Sequence, residues 1–453
     1  MLALRRSTPR SAFLRIVACG SALGIGCAPA PSPDTGRADV GDDAGATHAP
    51  PPDTEMELAR GLAITHVALL QTVDHPLDPL LGPELTSENG LPPIARKASV
   101  VRILVTPDAG WADASVLAQV AIGERTFHEA LDIAGPSSPD AERGAFAVRV
   151  PADAFDPGAS LSVSLLARDG GPVAAGDTSR AVWPPGGGSA PLGLVAGKRM
   201  RIVIVPIEHV PSSAAGVPDL SAPRLDALRA ALVARYPISS ETLDVSVSST
   251  PLRTSSATDG LFFEDLLDEV SARWTSSADR DAIYLGIVAY AGTCDGCPDG
   301  QARGRALGAP IGSSPLVAVL GWNAGDETVR TFEAEGHLEA YLDALNLPPE
   351  AAPLIEGQTW FSSSLETAAH EIGHLLGLGH AACNFVAANP PVDPGYPSAA
   401  TSGLVDTWGY DPVLDRLRPP SLDYELMSYC LPGWISRYTY RTLGASLDAV
   451  ARL

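Results

Sequence analysis

Residues 370–380 read HEIGHLLGLGH, and the spacing of the histidines and glycines in this stretch decides how the surrounding chain must fold. His370 and His374 are four residues apart, so on a helix both imidazoles leave the same face and can bind one ion. Gly377 can take a positive φ that ends the helix and turns the chain back, which brings in His380 as a third nitrogen ligand. Three neutral imidazoles with a fourth position left for water are typical of catalytic rather than structural zinc.

Glu371 adds the acid-base group that such a site needs. It follows His370 but projects from the helix in a different direction, which suits a general base beside a zinc ion. Ser363 and Glu366 have the S-x-x-E spacing of a capping box, so we expect the helix to begin there. An amphipathic helix with three structural histidines is the alternative, but it does not account for the glutamate, the glycine and the third histidine together.

The pattern H-E-x-x-H-x-x-G-x-x-H resembles the zinc signature of the metzincin metallopeptidases. Residues 408–411 and 433–440 are also similar to the C-terminal regions of secreted bacterial metzincins that cleave glycoproteins. Metzincins have a methionine turn beneath the metal, so the resemblance implies this role for Met427, although methionines more often serve in core packing. In some metzincins a tyrosine two residues later steadies the oxyanion, which implies a catalytic role for Tyr429. The signature covers about residues 365–430.

The resemblance implies a zinc-dependent endopeptidase with one catalytic zinc ion, which cleaves extracellular proteins or glycoproteins. Zinc would make the attacking water acidic, and Glu371 would take its proton and deliver it to the leaving amine. We expect an extended substrate to pair with an edge strand at Leu316–Trp322. Two other functions stay open. One is a surface binding protein with an inactive zinc domain, against which the presence of Glu371 argues, and the other is a zinc amidase acting on cell-wall peptides.

The periodicity of apolar residues divides most of the chain into two folded blocks. Between residues 58 and 196 apolar and polar residues alternate, as in Leu161–Leu165, which predicts an antiparallel β-sandwich that serves as an accessory domain. In residues 197–453 apolar strands such as Met200–Ile207 alternate with amphipathic helices, one of them after Ser221. We therefore expect a multidomain protein, with an N-terminal antiparallel β-sandwich followed by an α+β, metzincin-like catalytic domain containing a mixed sheet.

The N-terminal region is predicted to direct export. Four arginines within the first 15 residues precede an uncharged stretch that is too short to cross a bilayer, so residues 1–27 are predicted to be a signal peptide. Leu23–Cys27 resembles a bacterial lipobox, which implies lipidation at Cys27. The alternatives are a box that ends at Cys19 and a plain secretory signal. Residues 28–57 are rich in Pro, Ala and Asp and are predicted to form a linker. We expect an exported monomer, either a lipoprotein of the outer membrane or cell surface or a secreted protein.

The charge balance bears on the partners. The chain of 453 residues carries 53 Asp and Glu against 31 Lys and Arg, a net charge of −22, and only Lys97 and Lys198 are lysines. A protein that binds nucleic-acid phosphates needs a basic face, so we exclude nucleic acid as a partner. The histidines outside the motif lack a second ligand at useful spacing and are predicted to be structural or exposed, namely His48, His66, His75, His128, His209 and His337.

Four cysteines lie beyond the signal region, and four cysteines allow three pairings. If the resemblance to the methionine turn holds, the chain segments on both sides converge on the zinc, which favours a Cys383–Cys430 disulfide. That leaves Cys294 and Cys297, whose C-x-x-C spacing also suits a redox motif or half of a zinc site. Export favours a disulfide here as well.

Overall fold

The computed structural model of the protein describes residues 56–77, 91–141, 144–173, 175–210, 217–255, 262–279, 281–289, 304–307, 315–322, 360–382, 392–396, 403–420, 422–428 and 433–452. Within these ranges the chain forms several antiparallel and mixed sheets and four helices, which confirms the expectation of a multidomain α+β protein. No helix in the same ranges is long and apolar enough to cross a membrane.

The N-terminal part consists of two antiparallel sheets that share one core. One sheet has the strand order β1-β8-β5-β6, with β9 and β10 also paired to β8, and the other has the order β3-β2-β4-β7. The strands are β1 (Met56–Leu58), β2 (Leu62–Leu70), β3 (Asp74–Pro76), β4 (Ser99–Pro107), β5 (Ala114–Ile122), β6 (Arg125–Ile133), β7 (Phe146–Val150), β8 (Ser160–Arg168), β9 (Val182–Trp183) and β10 (Ala190–Pro191).

These two sheets are packed face to face as a β-sandwich. Buried and partly exposed residues alternate along β8, as a strand with one covered face requires. Side chains from both sheets meet in one hydrophobic cluster, among them Leu69 of β2, Val101 of β4 and Val163 of β8. The first strand begins at Met56, two residues before the predicted boundary at residue 58.

The C-terminal part contains a mixed sheet with the strand order β12-β11-β14-β16-β15, in which β13 also pairs with β11. All pairings in this sheet are parallel except that of β15 with β16. The elements are β11 (Met200–His209), α1 (Ala222–Arg235), β12 (Leu243–Val247), β13 (Leu252–Thr254), α2 (Phe262–Ser276), β14 (Ile283–Ala289), β15 (Gly304–Ala306), β16 (Val317–Trp322), α3 (Trp360–Leu375), β17 (Gly409–Asp411), β18 (Arg416–Arg418), β19 (Tyr424–Glu425), β20 (Gly433–Trp434) and α4 (Arg437–Val450).

Helices cover the mixed sheet on both faces. Leu228 and Leu232 of α1 and Ile372 of α3 lie in one cluster with alternate residues of the central strands. Leu266 and Val270 of α2 lie in a second cluster with the residues that point to the opposite face. Because successive strand residues point to opposite sides, a sheet covered in this way needs the continuous apolar runs that β14 and β16 carry.

Two sequence-based expectations about this part are wrong. The strand Val317–Trp322 is not an edge strand, because it pairs with β14 on one side and with β15 on the other. The edge is β15, whose three residues show no periodicity from which it could be predicted. Helix α3 begins at Trp360, so Ser363 lies inside the helix and does not cap it. Glu366 instead points towards Arg235, with 3.6 Å between the carboxylate and guanidinium.

The sandwich and the C-terminal part pack against each other. Trp408 and Tyr410 form a hydrophobic cluster with Leu70 and Val100 of the sandwich. The guanidinium of Arg102 lies 4.0 Å from the ring centroid of Trp408, a cation–π contact. This interface joins the sandwich to the two-stranded sheet of β17 and β18.

Candidate metal centre

Helix α3 and the turn after it bring the three histidines of the motif together. His370 and His374 leave the same face of α3, one turn apart. Gly377 has a φ of 86°, in the left-handed region that glycine occupies without strain. The amide of Leu378 donates to Gly373 O at 3.1 Å and that of Gly377 donates to His374 O at 3.0 Å, a Schellman motif. The chain therefore reverses here, as expected from the glycine, and carries His380 back towards the helix.

The three imidazoles converge through their Nε2 atoms. His374 Nε2 lies 3.1 Å from His370 Nε2 and 3.2 Å from His380 Nε2. Zinc bound to nitrogen at about 2.0–2.1 Å in tetrahedral geometry separates two ligand nitrogens by about 3.3–3.4 Å. The two distances from His374 Nε2 are thus close to those that one tetrahedral ion requires, and of the described residues the three histidines form the one cluster suited to a metal.

Backbone carbonyls determine which ring nitrogen faces the centre. His370 Nδ1 lies 2.8 Å from Leu426 O, and His374 Nδ1 lies 2.9 Å from Leu378 O. A carbonyl oxygen only accepts hydrogen bonds, so both Nδ1 atoms carry the proton. In a neutral imidazole this leaves a lone pair on Nε2, which is the form that binds a metal. Lone pairs this close repel one another unless a cation lies between them.

Burial keeps the three rings neutral. It lowers the pKa of His370 to about 4 and that of His380 to about 3. The pKa of His374 falls well below its usual value, first because the ring is buried and second because charge on His370 or His380 would oppose its own. At neutral pH no proton therefore competes with a metal ion for the Nε2 lone pairs.

Met427 packs against helix α3 at Gly373, which lies between His370 and His374 in the sequence. Its side chain is fully buried, and a Cβ placed on Gly373 would come within 2.6 Å of Met427 Sδ. The absence of a side chain at Gly373 therefore leaves room for the sulfur of Met427. The main chain at Met427 is bonded to the site as well, because Ala381 N donates to Met427 O at 3.0 Å.

Glu371 is buried beside this centre with an oxygen free to bind water. The side chain is 1% exposed, and Glu371 Oε2 has no hydrogen-bond partner among the described residues. Burial raises the pKa of Glu371 to about 8, and the guanidinium of Arg305 partly opposes that rise. A Cβ on Gly304 would lie 2.7 Å from Glu371 Cγ. The edge strand β15 therefore passes directly against the proposed general base.

Three further residues fix the His380 turn, and no sequence pattern indicates them. Asp393 N donates to His380 O at 2.9 Å, and Tyr396 OH donates to Gly379 O at 3.1 Å. Tyr438 OH in turn donates to Asp393 Oδ2 at 2.9 Å. Nothing in their spacing relates them to the motif, because they join it only through the tertiary fold.

Several predicted site residues lie outside the described residues. They are Tyr429, with its predicted catalytic role, the disulfide candidates Cys294, Cys297, Cys383 and Cys430, and the lipidation candidate Cys27. Their roles stay predictions. No protein-family model matches this chain, and none of the curated proteins compared with it matches either.

Proposed function

We propose that the protein is a zinc-dependent endopeptidase of the metzincin type that cleaves extracellular proteins or glycoproteins. The observation that carries this proposal is the convergence of three neutral imidazole nitrogens, 3.1 and 3.2 Å apart, beside a buried glutamate. A metal site used only for folding is closed by four protein ligands, whereas three histidines leave one position for water and substrate.

Zinc is the metal that this donor set favours. Neutral imidazole is a ligand of intermediate softness, and three such ligands at tetrahedral spacing suit zinc better than oxygen-seeking Mg²⁺ or Ca²⁺. The carbonyls of Leu426 and Leu378 orient two of the rings, which is the usual support for zinc-bound histidine. Bound zinc would supply the Lewis acid that polarises the scissile carbonyl and makes the attacking water acidic.

Glu371 would carry the protons of the reaction. Its unpartnered oxygen can accept a hydrogen bond from the attacking water, take the proton and later deliver it to the leaving amine. Burial favours this exchange, because a carboxylate whose pKa is raised to about 8 binds a proton readily near neutral pH. Arg305 limits the rise in the pKa, so a fraction of Glu371 stays ionised near neutral pH and can accept the proton.

The edge strand β15 is the place where we expect an extended substrate to pair. On its inner side β15 pairs with β16, and no strand in the described part of the chain pairs with its outer side. Main-chain hydrogen bonds to such an edge would align a peptide regardless of its side chains. Gly304 of β15 packs against Glu371, so a peptide on this strand would pass next to the general base.

Elements elsewhere in the chain support the proposed metzincin type. The mixed sheet has one antiparallel edge strand, α3 carries two histidines, and the buried Met427 packs against α3 at Gly373. The family assignment, export through residues 1–27 and lipidation at Cys27 belong to the same proposal and rest on the sequence.

The test combines metal analysis with a cleavage assay on the purified protein. Denatured casein, a mucin-type glycoprotein and cell-wall peptides are offered side by side, with chelated protein as one control. Glu371→Gln removes the base but keeps the shape of the side chain, and the exposed Glu57→Gln serves as its matched control. We expect one zinc per chain in all three proteins and a loss of cleavage of about 100-fold or more in Glu371→Gln alone.

The other outcomes separate the alternatives. Cleavage of cell-wall peptides without cleavage of casein or mucin would identify an amidase. Bound zinc without cleavage of any of these substrates would favour a binding protein with an inactive zinc domain. Protein without bound zinc would contradict the proposed function.

A further inference from the structure

The sandwich contacts the C-terminal end of helix α1 through a buried lysine. Lys97 is 1% exposed, and its Nζ donates to Val233 O and to Tyr236 O, both at 2.6 Å. Helix α1 ends at Arg235, so Val233 O belongs to its last turn, whose oxygens lack partners within the helix, and Tyr236 O follows directly after it. An amine at this end also interacts favourably with the helix dipole.

A second side chain of the sandwich binds the same helix end. Thr72 Oγ1 donates to Ala234 O at 2.7 Å, so two carbonyls in the last turn of α1 and that of Tyr236 just after it accept hydrogen bonds from the sandwich. Thr72 O itself accepts from Trp434 Nε1 at 2.8 Å. The C-terminal end of α1 is therefore bonded by residues more than 130 positions away in the sequence as well as by its own flanking chain, in which Tyr236 N donates to Leu232 O at 2.9 Å.

Helix α1 passes this restraint on to the metal helix. Tyr236, the residue that follows α1, is fully buried, and its OH donates to Ala369 O at 2.6 Å. Ala369 directly precedes His370 in α3. Leu228 and Leu232 of α1 pack in the same cluster as α3, so the two helices are in contact along their length as well.

We propose that Lys97, Thr72 and Tyr236 are positioning residues for the metal centre. The sandwich fixes the end of α1, and Tyr236 fixes α3 at the residue before His370. The sandwich is then part of the structure that places the zinc ligands, rather than the accessory domain that the sequence predicts. This inference rests on the proposed function, because it concerns the same metal site.

The bonds made by Lys97 persist whether or not its amine is charged. Burial lowers the pKa of Lys97 to about 7, so both forms are present near neutral pH. A neutral amine still has two N–H donors, which matches the two carbonyls that it contacts.

The test measures zinc release from the whole protein to an excess of a chromogenic chelator. Lys97→Met removes the N–H donors, and Tyr236→Phe removes the hydroxyl that donates to Ala369 O of α3. Lys198→Met is the matched control for the first, because the Lys198 side chain pairs with Asp448 at 2.7 Å, away from the carbonyls of Val233 and Tyr236. Tyr440→Phe is the control for the second, since Tyr440 is equally buried and its OH lacks a hydrogen-bond partner among the described residues.

We expect zinc release about tenfold faster in Lys97→Met and Tyr236→Phe, and unchanged in both controls. The absorption spectrum of the cobalt-substituted protein should shift in the same two variants, because it reports the geometry of the ligands. In the double variant the two effects should fall short of additive in free energy, since both residues act through α1.

Folded variants that release zinc at the wild-type rate, with an unchanged cobalt spectrum, would overturn the inference. A purely structural role predicts this result, with a lowered Tm as the only effect. If Lys97→Met does not fold, Tyr236→Phe decides alone, because it removes a single oxygen. Wild-type protein that binds no zinc would contradict the proposed function itself, which distinguishes that failure from one of this inference.

Discussion

Glu371 depends on a neighbour that has no side chain. The Cγ atom of Glu371 occupies the space that a Cβ on Gly304 would need, at 2.7 Å. Gly304 lies on the short edge strand, where its backbone is fixed by pairing with Leu320 of β16. The absence of a side chain at Gly304 of β15 thus leaves the space in which the side chain of Glu371, the proposed general base, lies.

We predict that Gly304→Ala lowers kcat without loss of zinc. The new methyl group displaces the carboxylate of Glu371 by a few tenths of an ångström or more, and a misplaced catalytic group costs up to about 100-fold in rate. Gly135→Ala is the matched control, because a Cβ at Gly135 meets nothing within 4 Å. Equal kcat values for the two variants would show that Glu371 is not held by this contact.

The end of helix α3 requires a residue that can adopt a positive φ. Gly377 has a φ of 86°, and a Cβ there would meet no atom within 4 Å. Replacement therefore costs only backbone strain, about 1 kcal/mol for alanine in the left-handed region. Asparagine tolerates this region better than alanine does.

We therefore predict the order of stability wild type, Gly377→Asn, Gly377→Ala. The alanine variant should lose about 1 kcal/mol of unfolding free energy and bind zinc more weakly, because His380 follows the strained turn. Chemical denaturation and zinc titration measure the two effects. Equal losses for asparagine and alanine would indicate that the turn does not need the left-handed conformation.

At the scale of elements, local spacing explains what the sequence can and cannot predict. The convergence of His370, His374 and His380 follows from helical periodicity and one glycine. It can therefore be predicted from the eleven residues of the motif. The antiparallel strand β15 cannot, because three residues carry no periodicity and its place at the edge is a tertiary property. Ser363 shows a related failure, since S-x-x-E spacing also occurs inside a helix. Tyr429 and the four cysteine candidates stay predictions.

The same limit applies to the contacts between the two parts of the chain. Lys97 is one of two lysines, but nothing near it indicates that it caps a helix formed by residues 222–235. Likewise Asp393 and Tyr438 reach the His380 turn from separate segments. Domain boundaries are visible in composition and periodicity, whereas the bonds that couple the domains are not.

The unfolding free energy of the whole molecule should depend on pH because of another buried acid, Glu425. This side chain is 1% exposed and lies two residues before Met427. Burial raises the pKa of Glu425 to about 8 and Asp406 adds to the rise, while hydrogen bonds from Ser436 and Thr439 oppose it. The Thr439 hydroxyl donates to Glu425 Oε2 at 2.9 Å. Glu425 is therefore protonated in the folded protein under conditions in which it is ionised in the unfolded chain.

The sign of the pH dependence follows from this difference. Below the unfolded pKa of 4.5 both states are protonated, and the contribution of Glu425 to stability is fully present. Between pH 4.5 and about 8 unfolding releases a proton, so this contribution is lost as pH rises through the folded pKa.

Glu425→Gln cannot ionise, so the variant should gain stability relative to wild type between pH 5 and 9, by on the order of 3 kcal/mol. Denaturant unfolding at several pH values measures the difference in unfolding free energy between the variant and wild type, with Glu57→Gln as an exposed control. A gap between Glu425→Gln and wild type that stays constant from pH 5 to 9 would mean that Glu425 is ionised in the folded protein, balanced by its hydrogen bonds to Ser436 and Thr439.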